Sequence, residues 1–423
     1  MQNIAIVKPQ IMSRLSLHHL LGMVLLICSL FPWTSPVPIT SDTQPLALAI
    51  GLLYALLFLR SIPVSYWPFV IACAVAWLIY ISDPGMSSLR GFVGYLSLLI
   101  IPLALRKYFI TYGPPGFKFL ISIMVIWGII GVIQFWVPEI VSFLSSREGI
   151  FGLTGGRGSM SFAPEPTFYG LWLLLFSLSI LMISSLPGRL SKKQVTILLS
   201  FALIQLILVS RSTLVLVILT MSAVAYLVIY FRIFLVAFLI LIGIGGLGLY
   251  YISGSDIDSE KLAENFRLLR LLISVLNVVD INNILAIDGS ISDRFVQIFA
   301  SHYFFIVDYM FPHGFYSWSE ASSSLPPMLK GAYHSMDGLD RVLSFTGSAL
   351  YEIGIFAVPL LLSIFFVVIR ALPGSGFRAT IYKGFVLIIL FVQAFPLALP
   401  TVSYLIAVSL YVYRAKRLEK LTS

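Results

Sequence analysis

Charged residues are scarce in this chain of 423 residues. They make up 11% of it, whereas hydrophobic residues make up 59%. A typical soluble chain is roughly 25% charged. A folded particle of this size cannot hide so much apolar surface from water, so lipid must be the solvent for most of the chain. The composition therefore excludes a set of ordinary soluble domains.

Cysteine and histidine are rare as well, with two and five copies. Cys28 and Cys73 both lie inside long apolar runs, so neither a structural disulfide nor a thiolate metal site is expected. His302, His313 and His334 lack the paired Cys or carboxylate spacing that is typical of a metal site. We therefore expect no bound metal and no cofactor.

Long apolar runs, in contrast, fill most of the sequence. A helix that crosses lipid needs about 20 apolar residues, and the sequence predicts about twelve such helices. They are predicted over residues 17–33, 45–59, 64–82, 91–105, 119–138, 166–186, 195–210, 212–230, 233–252, 346–369, 384–398 and 399–413. The predicted fold is an all-α polytopic membrane protein. Its segments are 1–252 with nine helices, a large external loop over 253–345, and 346–423 with three helices and a basic tail.

The net charge of +9 is divided unevenly between the loops. If the N-terminus lies in the cytoplasm, most of the 27 basic residues fall on that side, and Glu419 is the one acidic residue among them. This distribution follows the positive-inside rule and favours an even number of helices with both termini in the cytoplasm. The basic excess then sets orientation, and we expect no nucleic-acid partner.

The external loop over 139–165 is rich in glycine around Arg157. Gly152, Gly155, Gly156 and Gly158 surround this residue. Backbone without side chains can approach a phosphate closely, although a flexible turn would have the same composition. The segment lacks the Gly-Lys-Ser/Thr of a nucleotide-binding P-loop.

Two charged residues stand next to predicted spans. Glu165 lies between Pro164 and Pro166, where a span begins. It either caps that helix or presents a rigidly held carboxylate as a general base. Arg211 separates two apolar spans with almost no loop between them. It either extends its charge to the interface or has a function, because a charge inside lipid costs about 2.5 kcal/mol or more.

The large external loop has two polar regions. Residues 261–279 have apolar positions near helical spacing and predict an amphipathic helix on the membrane surface. On it, Arg267 and Arg270 either form a solvated face, with Glu264 pairing to Arg267, or contact a lipid-linked phosphate.

The second polar region follows Asp293 and Arg294, which precede an aromatic run. His313 lies in the turn after that run, and Tyr351-Glu352 comes where the next span begins. Glu352 is either a charge at a helix interface or a site residue, and the sequence leaves both open.

These motifs, in this order, resemble the Wzy-type O-antigen and exopolysaccharide polymerases, which share a superfamily with the O-antigen ligases. Such polymerases carry an Arg, ten residues and a Gly in external loops, and Arg147 to Gly158 has this spacing. Arg294 departs from the pattern, because Phe occupies position 305 and a glycine follows only at Gly314. Ligases have a His-Asn pair before the span after the large loop, where this chain has Thr346-Gly-Ser.

The resemblance implies a fold like that of GT-C glycosyltransferases in the bacterial inner membrane. It implies metal-independent joining of undecaprenyl-diphosphate-linked oligosaccharide repeat units on the periplasmic face, with membrane lipids around the enzyme and a chain-length regulator as a partner. A diphosphate leaving group is suited to stabilisation by arginines. The candidate catalytic residues are Glu165, Arg211 and Arg294. The candidate substrate-binding residues are Arg147, Arg157, Gly158, Tyr169, Asp293, His313, Tyr351 and Glu352.

Two alternative functions stay open at this point. An O-antigen ligase would share the arginines and use a histidine, His313 or His334. A transporter or flippase of lipid-linked sugars would need charged residues at the midplane of several helices. In the predicted spans, Arg211 and Glu352 lie near the outer edge instead.

Overall fold

The computed structural model describes residues 16–34, 45–141, 158–231, 289–326, 329, 342, 344–393 and 396–422. The regular elements in these ranges are all helices, and these ranges contain no β-strand. The predicted span 233–252, the predicted surface helix 261–279, Arg147, Arg157 and His334 lie outside the described residues.

The described ranges contain fourteen α-helices. They are α1 Leu17–Leu30, α2 Leu46–Phe58, α3 Trp67–Ser82, α4 Met86–Tyr112, α5 Phe117–Ile133, α6 Pro166–Ser184, α7 Lys192–Ile204, α8 Thr213–Tyr230, α9 Gly289–Val307, α10 Trp318–Ser323, α11 Phe345–Ile353, α12 Ala357–Ala371, α13 Phe377–Val392 and α14 Pro400–Thr422. A 3₁₀ turn, Val64–Tyr66, precedes α3, and a π-helical turn, Gln205–Ser210, extends α7.

Six helical segments of the described chain are long and apolar enough to cross a membrane. They are Val64–Ser82, Met86–Tyr112, Pro166–Ser184, Lys192–Ser210, Thr213–Tyr230 and Phe345–Ala371. The shorter of these have 18 or 19 residues, which is roughly 28 Å of helix against a hydrocarbon layer of about 30 Å. The protein is therefore a multi-pass α-helical membrane protein.

Several predicted spans differ from the helices observed. The span predicted over 399–413 belongs to α14, which continues to Thr422, and the span predicted over 346–369 consists of α11 and α12 joined by a 3₁₀ turn, Gly354–Phe356. The span predicted over 91–105 is the central part of α4, which continues past Arg106 to Tyr112. The span predicted over 384–398 is wrong at both ends, because α13 runs from Phe377 to Val392. Its first half includes the basic residue Lys383, and Leu397 and Ala398 form a turn where the sequence predicted the end of the span. Proline disfavours continuation of a helix through its own position.

Contacts at the ends of α1 define the two ends of the helix bundle. The hydroxyl of Ser16, before α1, lies 2.9 Å from the hydroxyl of Tyr112 at the end of α4. At its other end, the carbonyl of Ser29 accepts a hydrogen bond of 3.0 Å from Thr401 at the start of α14. We call the end where α4 and α14 finish the basic end, and the end where α6 and α14 begin the site end.

Charge is segregated between these two ends. Lys383 and Lys416 lie at the basic end and donate to backbone carbonyls at the end of α12, Lys383 to Leu372 at 3.1 Å and Lys416 to Ala371 at 2.7 Å. Such carbonyls carry the negative end of a helix dipole and are otherwise unsatisfied. Among the described acidic residues, Glu165 lies at the site end with Arg294, whereas Glu419 lies near the end of α14, at the basic end.

Aromatic packing joins α1, α5 and α6 beneath the site end. The rings of Trp127 and Trp172 stack with centroids 4.2 Å apart, and Phe176 continues the stack at 5.0 Å from Trp172. The indole N–H of Trp172 donates to the carbonyl of Leu30 at 3.0 Å. These three rings are fully buried, so they hold the helices that carry the site in fixed relative positions.

The division into two ends predicts opposite accessibility to a membrane-impermeant thiol reagent. The test introduces a single cysteine into a chain that carries Cys28→Ala and Cys73→Ala. The two positions are Ser375, which is exposed between α12 and α13, and Ser324, which is exposed after α10. Ser324→Cys should react with reagent added outside intact cells, because the positive-inside rule predicts that the basic end lies in the cytoplasm.

Ser375→Cys should react only after the membrane that holds the protein is opened, as followed by a shift in gel mobility. Equal labelling of both variants in intact cells would contradict the assignment of the two ends.

Candidate functional site

Glu165 and Arg294 form an ion pair at the site end. The Glu165 Oε2 atom accepts a hydrogen bond of 2.9 Å from Arg294 Nη2. Arg294 Nη1 also reaches the hydroxyl of Thr167 at 3.4 Å. The two charged side chains keep 37% and 24% of their surface exposed. The pair is thus open to solvent and to a ligand, and its contribution to stability is modest, about 0–1 kcal/mol.

The backbone around Glu165 explains why its side chain points away from α6. Glu165 is the residue before Pro166 and has extended backbone, with φ −151°. Its carboxylate makes no hydrogen bond to the first N–H groups of α6. The capping role considered for Glu165 is therefore not the one observed, and the carboxylate binds α9 instead.

The ion pair joins segments that are 129 positions apart in the chain. Glu165 ends the first long loop, whereas Arg294 belongs to α9, which follows the residues left undescribed in the large loop. Asp293 is half-buried next to Arg294. Of the three candidate catalytic residues, the structure brings these two, Glu165 and Arg294, into direct contact.

Gly158 packs against the turn that precedes α8. A Cβ atom at this position would overlap the backbone carbonyl of Ser210. Next to it, the Ser159 N–H donates to the Val209 carbonyl at 2.8 Å, and the Ser210 hydroxyl donates to the Pro166 carbonyl at 3.0 Å. The sequence predicted that backbone near Gly158 could approach a phosphate closely. In the structure, Gly158 instead lies against the backbone of Ser210.

Gln134 at the end of α5 fixes the loop that leads to Glu165. Its side-chain oxygen accepts from the Ser159 hydroxyl and from the Ser161 N–H, both at 2.6 Å. Its side-chain N–H donates to the Ser161 carbonyl at 2.9 Å. Gln134 is buried, so losing either partner would leave an unsatisfied polar group at a cost of about 1–3 kcal/mol. The sequence signal was a lone glutamine near the end of an apolar span, and it was missed.

Arg211 lies in the same turn, although its guanidinium points elsewhere. It ends the π-helical turn of α7 with left-handed backbone, φ 46° and ψ 30°, which is strained for a residue with a side chain. Its Nε donates to the Leu208 carbonyl at 3.1 Å, and the guanidinium stands 5.1 Å from the ring centre of Phe135. Arg211 is exposed at the site end, stacked on Phe135 rather than directed at Glu165.

Glu352 connects α11 to α4. Its Oε2 accepts a hydrogen bond of 2.9 Å from the Tyr95 hydroxyl, and its Oε1 accepts one of 2.8 Å from the Ser348 hydroxyl. Both carboxylate oxygens are thus engaged by the chain itself. Of the two readings that the sequence left open, this geometry favours the interface charge.

His313 is held by a carboxylate and a backbone carbonyl. Its Nε2 lies 2.8 Å from Asp308 Oδ2, and its Nδ1 lies 3.2 Å from the carbonyl of Tyr351. The rings of His313 and Tyr351 stack at 4.4 Å with an interplanar angle of 9°. Both imidazole nitrogens thus lie close to oxygens of the chain, and these contacts hold the loop of His313 against Tyr351.

Two candidate substrate-binding tyrosines are buried. Tyr169 is fully buried, and its hydroxyl donates to the side-chain oxygen of Gln205. Tyr351 is 2% exposed, and its hydroxyl lies 3.0 Å from that of Ser317. These positions place both tyrosines in the packed interior of the described structure.

His302 was not recognised as a site candidate, and the structure places it against α11. Its Nε2 lies 3.2 Å from the Thr346 hydroxyl, and its Nδ1 lies 2.6 Å from the carbonyl of Ile298. Sequence spacing held no signal for this contact, because 44 positions separate His302 from Thr346.

The geometry defines the class of the protein as an α-helical membrane protein with a carboxylate–guanidinium pair at one end of its bundle. In the part of the chain that the structure describes, no group of three or more His, Cys, Asp or Glu side chains has the arrangement of a metal site. No protein-family model matches the chain, and no curated protein matches it.

The contact of Gly158 with Ser210 predicts that Gly158→Ala destabilises the protein. The new methyl group must displace backbone, which costs about 1–3 kcal/mol and lowers the unfolding midpoint measured in detergent. Gly384→Ala is the matched control. Its Cβ atom would have neighbours no closer than 4.0 Å on α13, and alanine is the better helix former by about 0.5–1 kcal/mol. An unchanged midpoint in Gly158→Ala would contradict the packing described for the loop.

Proposed function

We propose that the chain is a Wzy-type polymerase that joins polyprenyl-diphosphate-linked oligosaccharide repeat units on the periplasmic face of the inner membrane. The observation that carries this proposal is the half-exposed pair of Glu165 and Arg294 at the site end. Arg294 offers a cation for a diphosphate, and Glu165, in direct contact with it, offers a carboxylate for a hydroxyl.

The reaction needs both groups, because one bond breaks as another forms. The bond between the anomeric carbon of the growing glycan and its diphosphate oxygen breaks, and the diphosphate leaves with the electron pair. A hydroxyl oxygen of the incoming repeat unit bonds to that carbon and gives up its proton. A guanidinium stabilises the charge that develops on the leaving diphosphate, and a carboxylate takes the proton.

The ion pair suggests how the two roles are linked. Without substrate, Glu165 neutralises Arg294. A diphosphate presents more negative charge and more acceptor oxygens than one carboxylate, so it competes for the same planar guanidinium. Once Arg294 turns to the diphosphate, the Glu165 carboxylate becomes available to the acceptor hydroxyl. Binding of the donor thereby frees the base.

Apolar surface lies beside the cation. Phe295 and Phe299 follow Arg294 on α9, with parallel rings 6.1 Å apart. They are 46% and 53% exposed. A substrate with a charged diphosphate and a prenyl chain needs a cation and apolar surface next to each other, and this part of α9 offers both.

The remaining candidate cations have less defined roles. Arg211 contributes a second positive charge to the site end if its side chain leaves Phe135. Arg147 and Arg157 remain predicted diphosphate ligands, and the chain-length regulator remains a predicted partner.

An O-antigen ligase is the second candidate, and one observation favours it. Ligases carry a histidine just before the span that follows the large loop. This sequence has Thr346 there, and His302 on α9 lies 3.2 Å from the hydroxyl of that residue. The fold thus brings a histidine, His302, next to the position where ligases have a histidine in their sequence.

Deletion of the gene separates the two candidates. Loss of a polymerase should leave surface lipopolysaccharide with a single repeat unit, because joining of units stops while ligation continues. Loss of a ligase should remove even the one-unit product. The measurement is the banding pattern of surface glycans on a gel, with the complemented strain as control. Long glycan chains in the deletion strain would overturn both candidates.

The proposed division of labour predicts strong effects of Glu165→Gln and Arg294→Gln. Each should reduce long glycan chains by a factor of about 10² or more, since each removes proton transfer or charge stabilisation. Arg378→Gln is the matched control. It removes one charge from an exposed residue of α13 at the basic end, and its chain-length pattern should be unchanged. Wild-type patterns in either site variant, at equal protein levels, would remove that residue from the mechanism.

A further inference from the structure

A cationic pocket lies at the basic end, at the opposite end of the bundle from Glu165 and Arg294. It has a volume of about 660 Å³ and lies between the end of α2, the last turns of α4 and the middle of α14. Four cationic side chains line it, namely Arg60, Arg106, Lys107 and Arg414, and none of its lining residues is acidic. The proposed reaction uses none of these residues.

Arg106 is the most constrained of the four. It lies on α4 about 9 Å along the helix from Tyr112 and is half-buried. Its guanidinium stands 5.8 Å from the ring centre of Tyr66. Its buried Nε has no hydrogen-bond partner among the residues that the structure describes. A buried donor of a cation without an acceptor is costly, so the position favours an anion.

The other pocket cations differ from their neighbours at the same end. Lys383 and Lys416 donate to carbonyls at helix ends. Within the described ranges, Arg60, Lys107 and Arg414 have no ion-pair partner, although three like charges around one pocket repel each other. An anion with several acceptor oxygens would relieve this repulsion and satisfy the donors at once.

The pocket walls also suggest an amphiphilic ligand. Leu57, Leu103 and Ile110 line the pocket together with the cations, and Leu57 and Ile110 are exposed at the bundle surface. A phosphate among the cations would have its apolar chains along these residues. Basic pockets between helices on the cytoplasmic side are the arrangement that takes anionic lipid headgroups.

We infer that this pocket binds a phosphate group, with the headgroup of an anionic phospholipid as the source that its apolar walls favour. A free phosphate compound would use the same cations, so the test must separate the two sources. The inference is independent of the proposed polymerase activity, because the pocket lies at the other end of α4.

The test uses the purified full chain in a neutral detergent and follows its unfolding midpoint as phosphatidylglycerol, phosphatidylcholine or inorganic phosphate is added. A ligand that binds the folded state raises the midpoint in a saturable manner. We expect this rise with phosphatidylglycerol and none with phosphatidylcholine. A matching rise with inorganic phosphate would support the phosphate site and assign it to a soluble source. No saturable rise with either phosphate source, or an equal rise with phosphatidylcholine, would overturn the inference.

Paired variants locate the binding. Arg106→Gln/Lys107→Gln should raise the phosphatidylglycerol concentration at half-saturation about tenfold or more, since it removes two charge-assisted contacts. Lys192→Gln/Lys193→Gln is the control. It removes the same charge from exposed residues at the start of α7, outside the pocket, and should bind as the unchanged chain does.

Arg60→Gln/Arg414→Gln, at two exposed positions of the same pocket, gives the same test if the first pair fails to fold. Equal losses in the pocket and control variants would show a general surface charge effect and would also overturn the inference.

Discussion

The hydrogen bond of 2.9 Å between Glu165 and Arg294 ties the first long loop to α9 and creates the site on which the functional account rests. Each side of this contact depends on deeper packing. Gln134 fixes the loop before Glu165 through buried hydrogen bonds. On the other side, Val296 and Ala300 bury one face of α9 in a small core with Tyr351. A weak, half-exposed ion pair is thus positioned by buried neighbours, which is the arrangement that the proposed exchange of partners requires.

The charged residues of the basic end and those of the site end make different kinds of contact. At the basic end, Lys383 and Lys416 complete helix termini, and Arg106 with its neighbours surrounds a pocket. At the site end, Arg294 pairs with Glu165, and Arg211 stacks on Phe135. Lipid between the ends enforces this division, because a charge in hydrocarbon is costly. In the account proposed above, the overall basic balance serves both orientation and anion binding, at separate places.

Apolar runs predicted the helices well where no charge interrupts them, as in Val64–Ser82 and Pro166–Ser184. They failed at α13, since hydropathy overlooks Lys383, whose ammonium reaches back to carbonyls at the helix start. Their charges, next to predicted spans and loops, made Glu165 and Arg294 candidates. Their pairing across 129 positions depends on tertiary packing, which the sequence pattern does not indicate. The same packing places Tyr169 and Tyr351 in the core. The residues next to Tyr169 and Tyr351 in the sequence do not indicate that these two side chains are buried by distant segments.

The most direct test of the central claim uses the purified chain and one synthetic substrate, a polyprenyl-diphosphate-linked repeat unit, in the presence of EDTA. The account predicts glycans of two or more joined units and one released polyprenyl diphosphate for each new glycosidic bond, as quantified by mass spectrometry. Substrate that remains as single units, or that crosses a bilayer without being joined, would contradict it.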